Sequence, residues 1–265
     1  MPLAGKRART YDPARTRTAV LAQFDHVREA VRTLTAAQLA LPTRLGDWTV
    51  RELAAHIGAS LATVGRFLGQ PEPARQDAIA LDWPFITSAH SATVAKGAHQ
   101  LVEDHPDLDA YLTGIAEATR RDLDTHPGTR LLATHAGAMP LDDYMVTRTV
   151  ELVVHTDDLN DAVPGLGVPH DRQALAACTR LLADALAARA PGSATELRIP
   201  PYAVVQCVEG PRHTRGTPPN VVETDPLTWI RLATGRASWD TALSDALVTA
   251  SGERADLGPL LPLMS

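Results

Sequence analysis

Glu151 and His155 stand four residues apart in the run Arg148-Thr149-Val150-Glu151-Leu152-Val153-Val154-His155-Thr156-Asp157-Asp158-Leu159. On a helix that spacing puts both side chains on one face. Both can ligate a divalent metal, one through oxygen and one through nitrogen. The aliphatic residues between them call for burial, and a buried carboxylate and imidazole need a partner or a metal. The same spacing also describes an ordinary Glu–His pair on a half-exposed helix. His56 lies in Thr49-Val50-Arg51-Glu52-Leu53-Ala54-Ala55-His56-Ile57, beside Leu53 and Ile57 and so facing a core. A single core histidine is commonly satisfied by a backbone carbonyl. Taken with Glu151 and His155, however, it completes two imidazoles and one carboxylate from two helices. That is the donor set of a catalytic zinc site with an open position, not of a closed structural one. Nickel, iron(II) and cobalt accept the same donors.

Other polar residues are open to two readings. Arg212, His213 and Arg215 fall close together in a Pro-rich stretch. They form either a carboxylate clamp, for which the guanidinium fork is well suited, or a surface turn with solvated charges. Asp157, Asp158 and Asp161 follow His155. At least two of them read as a solvated helix end, the alternative being a partner for a ligating histidine. Trp229 and Trp239 are expected in a core. Cys178 and Cys207 have no His or Asp nearby in sequence, so neither reads as a nucleophile. The chain has no Gly-rich phosphate loop and no Gly-x-Ser-x-Gly elbow.

The elements that must position these residues follow from periodicity and punctuation. From Asp12, Val20, Leu21, Phe24, Val27, Val31 and Leu34 recur every three or four residues, as on one helix face. Thr35–Gln38 and Thr49–Glu52 have capping-box form, the second opening the helix that carries His56. Residues 71–86 read as a loop, 87–104 and 107–125 as helices, and the segment from His126 to Leu141 again as a loop. A helix starting near Asp142 carries Glu151 and His155 until Pro164 and Gly165 end it, and one more spans about 171–190. Beyond Pro191-Gly192 the texture changes to β-formers. Strands are expected around Leu197–Val208, Val221-Val222 and Leu247–Ala250, with short helices at 226–234 and 238–246. The expected fold class is α+β: a flexible arm over 1–12, a metal-binding four-helix-type bundle over 13–190, and a small α+β domain over 191–265.

Composition narrows the function classes. The chain has 265 residues, 45% of them hydrophobic, enough for a large core. A formal net charge of -6 and only 4% aromatic residues argue against nucleic-acid binding. No apolar run approaches the roughly 20 residues of a membrane span, and no apolar stretch follows the basic N-terminus as in a secretory signal. Two cysteines cannot build a disulfide framework. A cytoplasmic protein acting on a small molecule, with no nucleic-acid partner and no membrane insertion, is the expectation. Lysine occurs only at Lys6 and Lys96, while arginine, alanine and proline abound, a bias read here as that of a GC-rich genome.

The run Trp48-Thr49-Val50-Arg51-Glu52-Leu53-Ala54-Ala55-His56-Ile57, followed by Glu151-Leu152-Val153-Val154-His155-Thr156-Asp157-Asp158-Leu159, resembles the mycothiol-dependent maleylpyruvate isomerase family. Its members are DinB-like helix-bundle metalloenzymes, and the resemblance covers about residues 12–165. It implies that His56, Glu151 and His155 hold zinc and that mycothiol is the thiol cosubstrate. The reaction implied is isomerisation or thiol transfer on a small electrophile such as an unsaturated acid. The stretch from Gly210 to Asp225, with Trp229, resembles a bacterial sterol-carrier-like domain. In the isomerase family an arginine of such a domain assists the reaction, and Arg212 and Arg215 are the candidates here. The alternative is a sterol-carrier-type protein for lipids or other apolar small molecules, with a non-catalytic metal. A regulatory module on the same bundle is a third reading, because fold does not fix function.

Overall fold

The computed structural model of the chain describes residues 9–86, 91–210 and 219–264, with residues 91–96 described in their backbone only. Nine α-helices and six strands are assigned among these residues: α1 (Pro13–Arg32), α2 (Ala36–Leu39), α3 (Val50–Leu68), α4 (Ser91–Asp104), α5 (Leu108–Thr125), β1 (Leu131–Thr134), β2 (Gly137–Pro140), α6 (Leu141–Ala162), α7 (Arg172–Arg189), β3 (Thr195–Ile199), β4 (Ala203–Cys207), β5 (Val221–Thr224), α8 (Pro226–Ala233), α9 (Trp239–Ser244) and β6 (Val248–Ser251). The class is α+β. The chain forms two compact units: residues 11–80 with 89–175, and residues 176–265 with 1–10 and 81–88.

In the helical unit, α1, α3, α5 and α6 make the bundle, with α1 and α3 each packed on α5 and α6, and α4 lying against α3. Helix α1 starts where Asp12 accepts the Arg15 N–H at 3.0 Å and Pro13 occupies the first turn. Helix α3 starts at Thr49, whose backbone N–H donates to the Glu52 carboxylate at 2.7 Å. One face of each long helix closes the core: Val20, Phe24 and Val27 from α1, Leu53, Ile57, Leu61 and Val64 from α3, Leu112 from α5, and Met145, Leu152 and Leu159 from α6. Helix α6 is buried on nearly every side from Leu141 to Leu159. Its polar residues therefore sit where unpaired charge is costly.

Two segments expected to be loops carry structure. Residues 80–85 form a 3₁₀ turn. The stretch before α6 contains an antiparallel hairpin pairing Leu131 with Pro140 and Thr134 with Gly137. Four-residue strands are too short to show a period of two, but Leu132 and Met139 bury their side chains and fix the hairpin against the bundle. Gly137 has φ +118°, and a Cβ there would meet Asp77 Oδ1, which accepts the Ala138 N–H at 2.6 Å.

In the mixed unit the sheet order is β4-β3-β5-β6, with β3 and β5 parallel and the other neighbours antiparallel. Strand β3 alternates cleanly: Thr195, Leu197 and Ile199 are buried, with Glu196 and Arg198 on the opposite face. Trp229, Ile230 and Leu232 of α8 are buried, while Trp239 is only half-buried. Asn220 ties loops together, donating to the Ala194 carbonyl at 2.7 Å and accepting the Arg254 N–H at 3.0 Å. Both cysteines are buried and unbridged, and burial pushes the Cys178 thiol far up. Residues 1–8 of the expected arm lie outside the described residues; Arg9 pairs with Asp184 at 2.8 Å. Among the described residues no helix is long and apolar enough to cross a membrane.

Candidate metal centre

His56 projects from α3, and Glu151 and His155 from α6, the two helices crossing within the bundle. Glu151 Oε2 lies 3.3 Å from His155 Nε2 and 3.8 Å from His56 Nε2, and one donor atom from each of the three residues falls within 4.8 Å of the others. The imidazole rings stand edge to face with centroids 4.9 Å apart. Donors around a tetrahedral zinc at about 2.0–2.2 Å are about 3.3–3.6 Å from one another. The three side chains thus match the metal in donor type, in spacing and in their partial burial. Among the described residues this is the only group of three or more metal-ligating side chains so placed.

The neighbours of each donor fix its charge and aim. His155 Nδ1 lies 2.9 Å from Asp158 Oδ2, leaving Nε2 toward Glu151. Asp158 is fully buried, and its other oxygen accepts Arg44 Nε at 2.7 Å. Arg44 Nη2 donates to Asp157 at 2.9 Å. The acidic run is therefore not a solvated helix end: Asp157 and Asp158 are both buried and only Asp161 is exposed. An arginine from a distant loop pairs with both, and nothing in the local sequence announces it. On the far side of Glu151, buried Arg148 holds Nη2 4.0 Å from Oε1 and donates Nη1 to the Ser60 carbonyl at 3.0 Å. Its guanidinium lies over the Tyr144 ring, whose hydroxyl meets Thr63 Oγ1 at 2.6 Å. The Trp48 ring packs against His56 with centroids 5.0 Å apart.

Without a metal, these contacts shift all three ionisations. Burial opposes the Glu151 charge, but hydrogen bonds from His155 and His56 and the charge of Arg148 outweigh it and hold the carboxyl well below its ordinary range. Burial likewise opposes the His155 cation, yet Asp158 and Glu151 raise its pKa to about 9. His56 is lowered: burial disfavours its cation, Glu151 only partly compensates, and the His155 charge opposes it further. The ionisable proton therefore sits on His155 rather than His56, and a divalent cation bound here would displace it.

The structure brings together His56, Glu151 and His155. Arg212 and Arg215 lie outside the described residues. Sequence reasoning missed Arg148 and Arg44. The first carried a readable signal, since it precedes Glu151 by three residues and shares its helix face; the second carried none.

Comparison with known proteins agrees with this architecture. The chain matches the model of the mycothiol maleylpyruvate isomerase N-terminal domain over residues 20–160 and that of the bacterial SCP ortholog over residues 171–263. Among solved structures it is similar to a mycothiol-dependent maleylpyruvate isomerase, with a TM-score of 0.58 at 16% identity, covering 93% of this chain and 95% of that one. A histidine-to-alanine mutant of a mycothiol-dependent maleylpyruvate isomerase gives the same values. At that identity the likeness establishes a shared fold. No curated protein matches the sequence. With more than half of its length matched by the isomerase model and the sterol-carrier-type model behind it, the chain belongs to the mycothiol-dependent maleylpyruvate isomerase family.

Proposed function

We propose that this chain is a zinc-dependent enzyme that uses mycothiol to isomerise, or to transfer the thiol to, a small electrophilic substrate such as an unsaturated acid. The observation that carries the reading is the convergence of His56, Glu151 and His155 from two helices on one partly buried point. His56 Nε2, Glu151 Oε2 and His155 Nε2 would hold the metal. When bound, it would supply a Lewis acid that keeps a thiol as thiolate near neutral pH. Mycothiol would supply the sulfur, whose reversible addition to a conjugated cis double bond frees that bond to rotate.

The chain's own residues do the rest. Glu151 stays ionised and brings one negative charge among the two imidazoles. Arg148 places a buried positive charge 4.0 Å from its outer oxygen and so favours the ionised carboxylate. Trp48 packs its ring against His56. Arg212 and Arg215 are the candidates for binding a substrate carboxylate, on guanidinium chemistry.

Elemental analysis of the purified protein tests the reading, with His56→Ala and His155→Ala measured alongside. About one zinc per chain is expected in the wild type and none in either variant. Mycothiol-dependent turnover of unsaturated acids is then assayed on the loaded protein. A wild type that takes up no metal when zinc is supplied overturns the proposal. Acyl-ligand binding to metal-free protein would then favour the sterol-carrier-type alternative.

A further inference from the structure

We propose that Arg44 and Asp158 are positioning residues for the metal centre, and that one loop, residues 41–49, aims both histidines. This rests on the metal reading above and adds to it the groups that orient the donors. The two oxygens of Asp158 are committed to different partners: Oδ2 to His155 Nδ1 at 2.9 Å and Oδ1 to Arg44 Nε at 2.7 Å. With Nδ1 so held, the ring can present only Nε2 to the centre, and a carboxylate on the far nitrogen makes that donor more basic. Arg44 completes the chain through its fork, one nitrogen on Asp158 and another on Asp157 at 2.9 Å.

A purely structural account explains this less well. Buried ion pairs are poor stabilisers compared with apolar packing of the same volume. Here a fully buried carboxylate, Asp158, meets the histidine that faces Glu151 most closely, and Arg44 links it to a second buried carboxylate, Asp157. The loop that supplies Arg44 is itself held by backbone hydrogen bonds. It is closed by a bridge between Pro42 and Thr49, by the Thr43 N–H on the Trp48 carbonyl at 2.9 Å and by the Val50 N–H on the Leu41 carbonyl at 2.9 Å, with Gly46 at φ +65° making the turn. Three residues after the turn's start, the same loop places Trp48 against His56. A single closed loop thus touches the histidine of α3 through a ring and that of α6 through Asp158.

The test measures zinc dissociation constants by chelator competition, together with the visible spectrum of the cobalt-substituted protein, for wild type, Asp158→Asn, Asp158→Ala and Arg44→Lys. Metal-free melting temperatures are recorded for all four. Positioning predicts that zinc binding weakens by about 10–100-fold in Asp158→Ala, less in Asp158→Asn and least in Arg44→Lys. It also predicts altered cobalt bands in variants whose metal-free protein is still folded. Asn keeps an acceptor for Nδ1–H and Lys keeps the charge, so the graded order is the signature that a role in folding alone would not give. If the folded variants bind zinc within twofold of wild type and keep its cobalt spectrum, the positioning role is overturned while the metal centre stands. A wild type that binds neither metal removes both readings together. Should Asp158→Ala fail to fold, Asp158→Asn and Arg44→Lys decide the question by the same criteria.

Discussion

The two units bury polar groups in different ways. Among the described residues, the buried polar side chains of the mixed unit are Thr179, Thr195, Asn220, Thr224, Thr228 and Thr234, all neutral, and Thr195, Asn220, Thr224 and Thr234 bond to backbone carbonyls or amides. They staple loops and helix ends. In the helical unit Arg148, Asp157 and Asp158 are buried as charges, and all three adjoin Glu151 or His155 or the arginine that serves them. Neutral staples are cheap wherever a loop needs one. Buried charges are costly unless paired, and a cluster of them marks the place where the fold has been shaped for something other than its own stability.

The sharpest way to break that contrast is Glu151→Ala. It removes the carboxylate facing both imidazoles and Arg148, so metal uptake should be abolished. The metal-free protein should also lose about 3 kcal/mol of stability in urea denaturation, as for one partner taken from a buried charge cluster. Stoichiometric zinc in this variant would show that the metal is held elsewhere.

A change of pH should have the next largest effect, and only in the helical unit. His155 in the metal-free fold is raised to about 9 from 6.5. Its protonated form therefore stabilises the metal-free fold fully below pH 6.5, and that contribution fades as pH rises through about 9. Metal needs the neutral ring, so zinc affinity should climb about tenfold per pH unit from neutrality and level off near 9. Calorimetry in buffers of different ionisation enthalpy should record the release of about one proton on binding. A flat affinity between pH 7 and 9 would mean that His155 is not a ligand.

On the other side of the comparison stands Asn220→Ala. Two backbone groups lose their partner, those of Ala194 and Arg254, and stability should fall by about 1–3 kcal/mol. Zinc affinity, measured on the folded variant, should not change. A metal defect here would show that the two units are not separable in the way their buried polar groups suggest.

How far the sequence could be read follows the same division. The shared helix face of Glu151 and His155 was legible because i,i+4 spacing is a local pattern, and so were the helix starts at Asp12 and Thr49, where side-chain chemistry and Pro placement act over four residues. The alternation of β3 is seen only in the fold, whereas the β character from Leu197 onward was legible from composition. The hairpin at Leu131–Pro140 was not, since its strands are shorter than any period and are fixed by burial of Leu132 and Met139. The environment of Asp157 and Asp158 was not either. Their run precedes Pro164 and Gly165 and looks solvated, yet the guanidinium that allows their burial arrives from a residue 114 positions before Asp158. Tertiary pairing of that kind leaves no periodicity in either segment.

The smallest effects compare one helix start from each unit. Asp12 accepts a single backbone N–H at the head of the 20-residue α1, whereas Asp225 accepts those of Leu227 and Thr228, at 2.9 and 3.1 Å, at the head of the eight-residue α8. Replacing either by Ala should cost about 0.5–2 kcal/mol. The loss at Asp225 should be the greater, because two orphan amides are exposed and a short helix has less packing to hold its first turn. Neither cap touches the metal cluster, so zinc affinity should be the same in both variants as in the wild type. Thermal melts ranked Asp225→Ala below Asp12→Ala would support local capping as the origin of the difference. The reverse order would mean that α1, which packs on α5 and α6, depends on its N-terminus more than its length suggests, and that the bundle carrying the metal centre is the less stable of the two units.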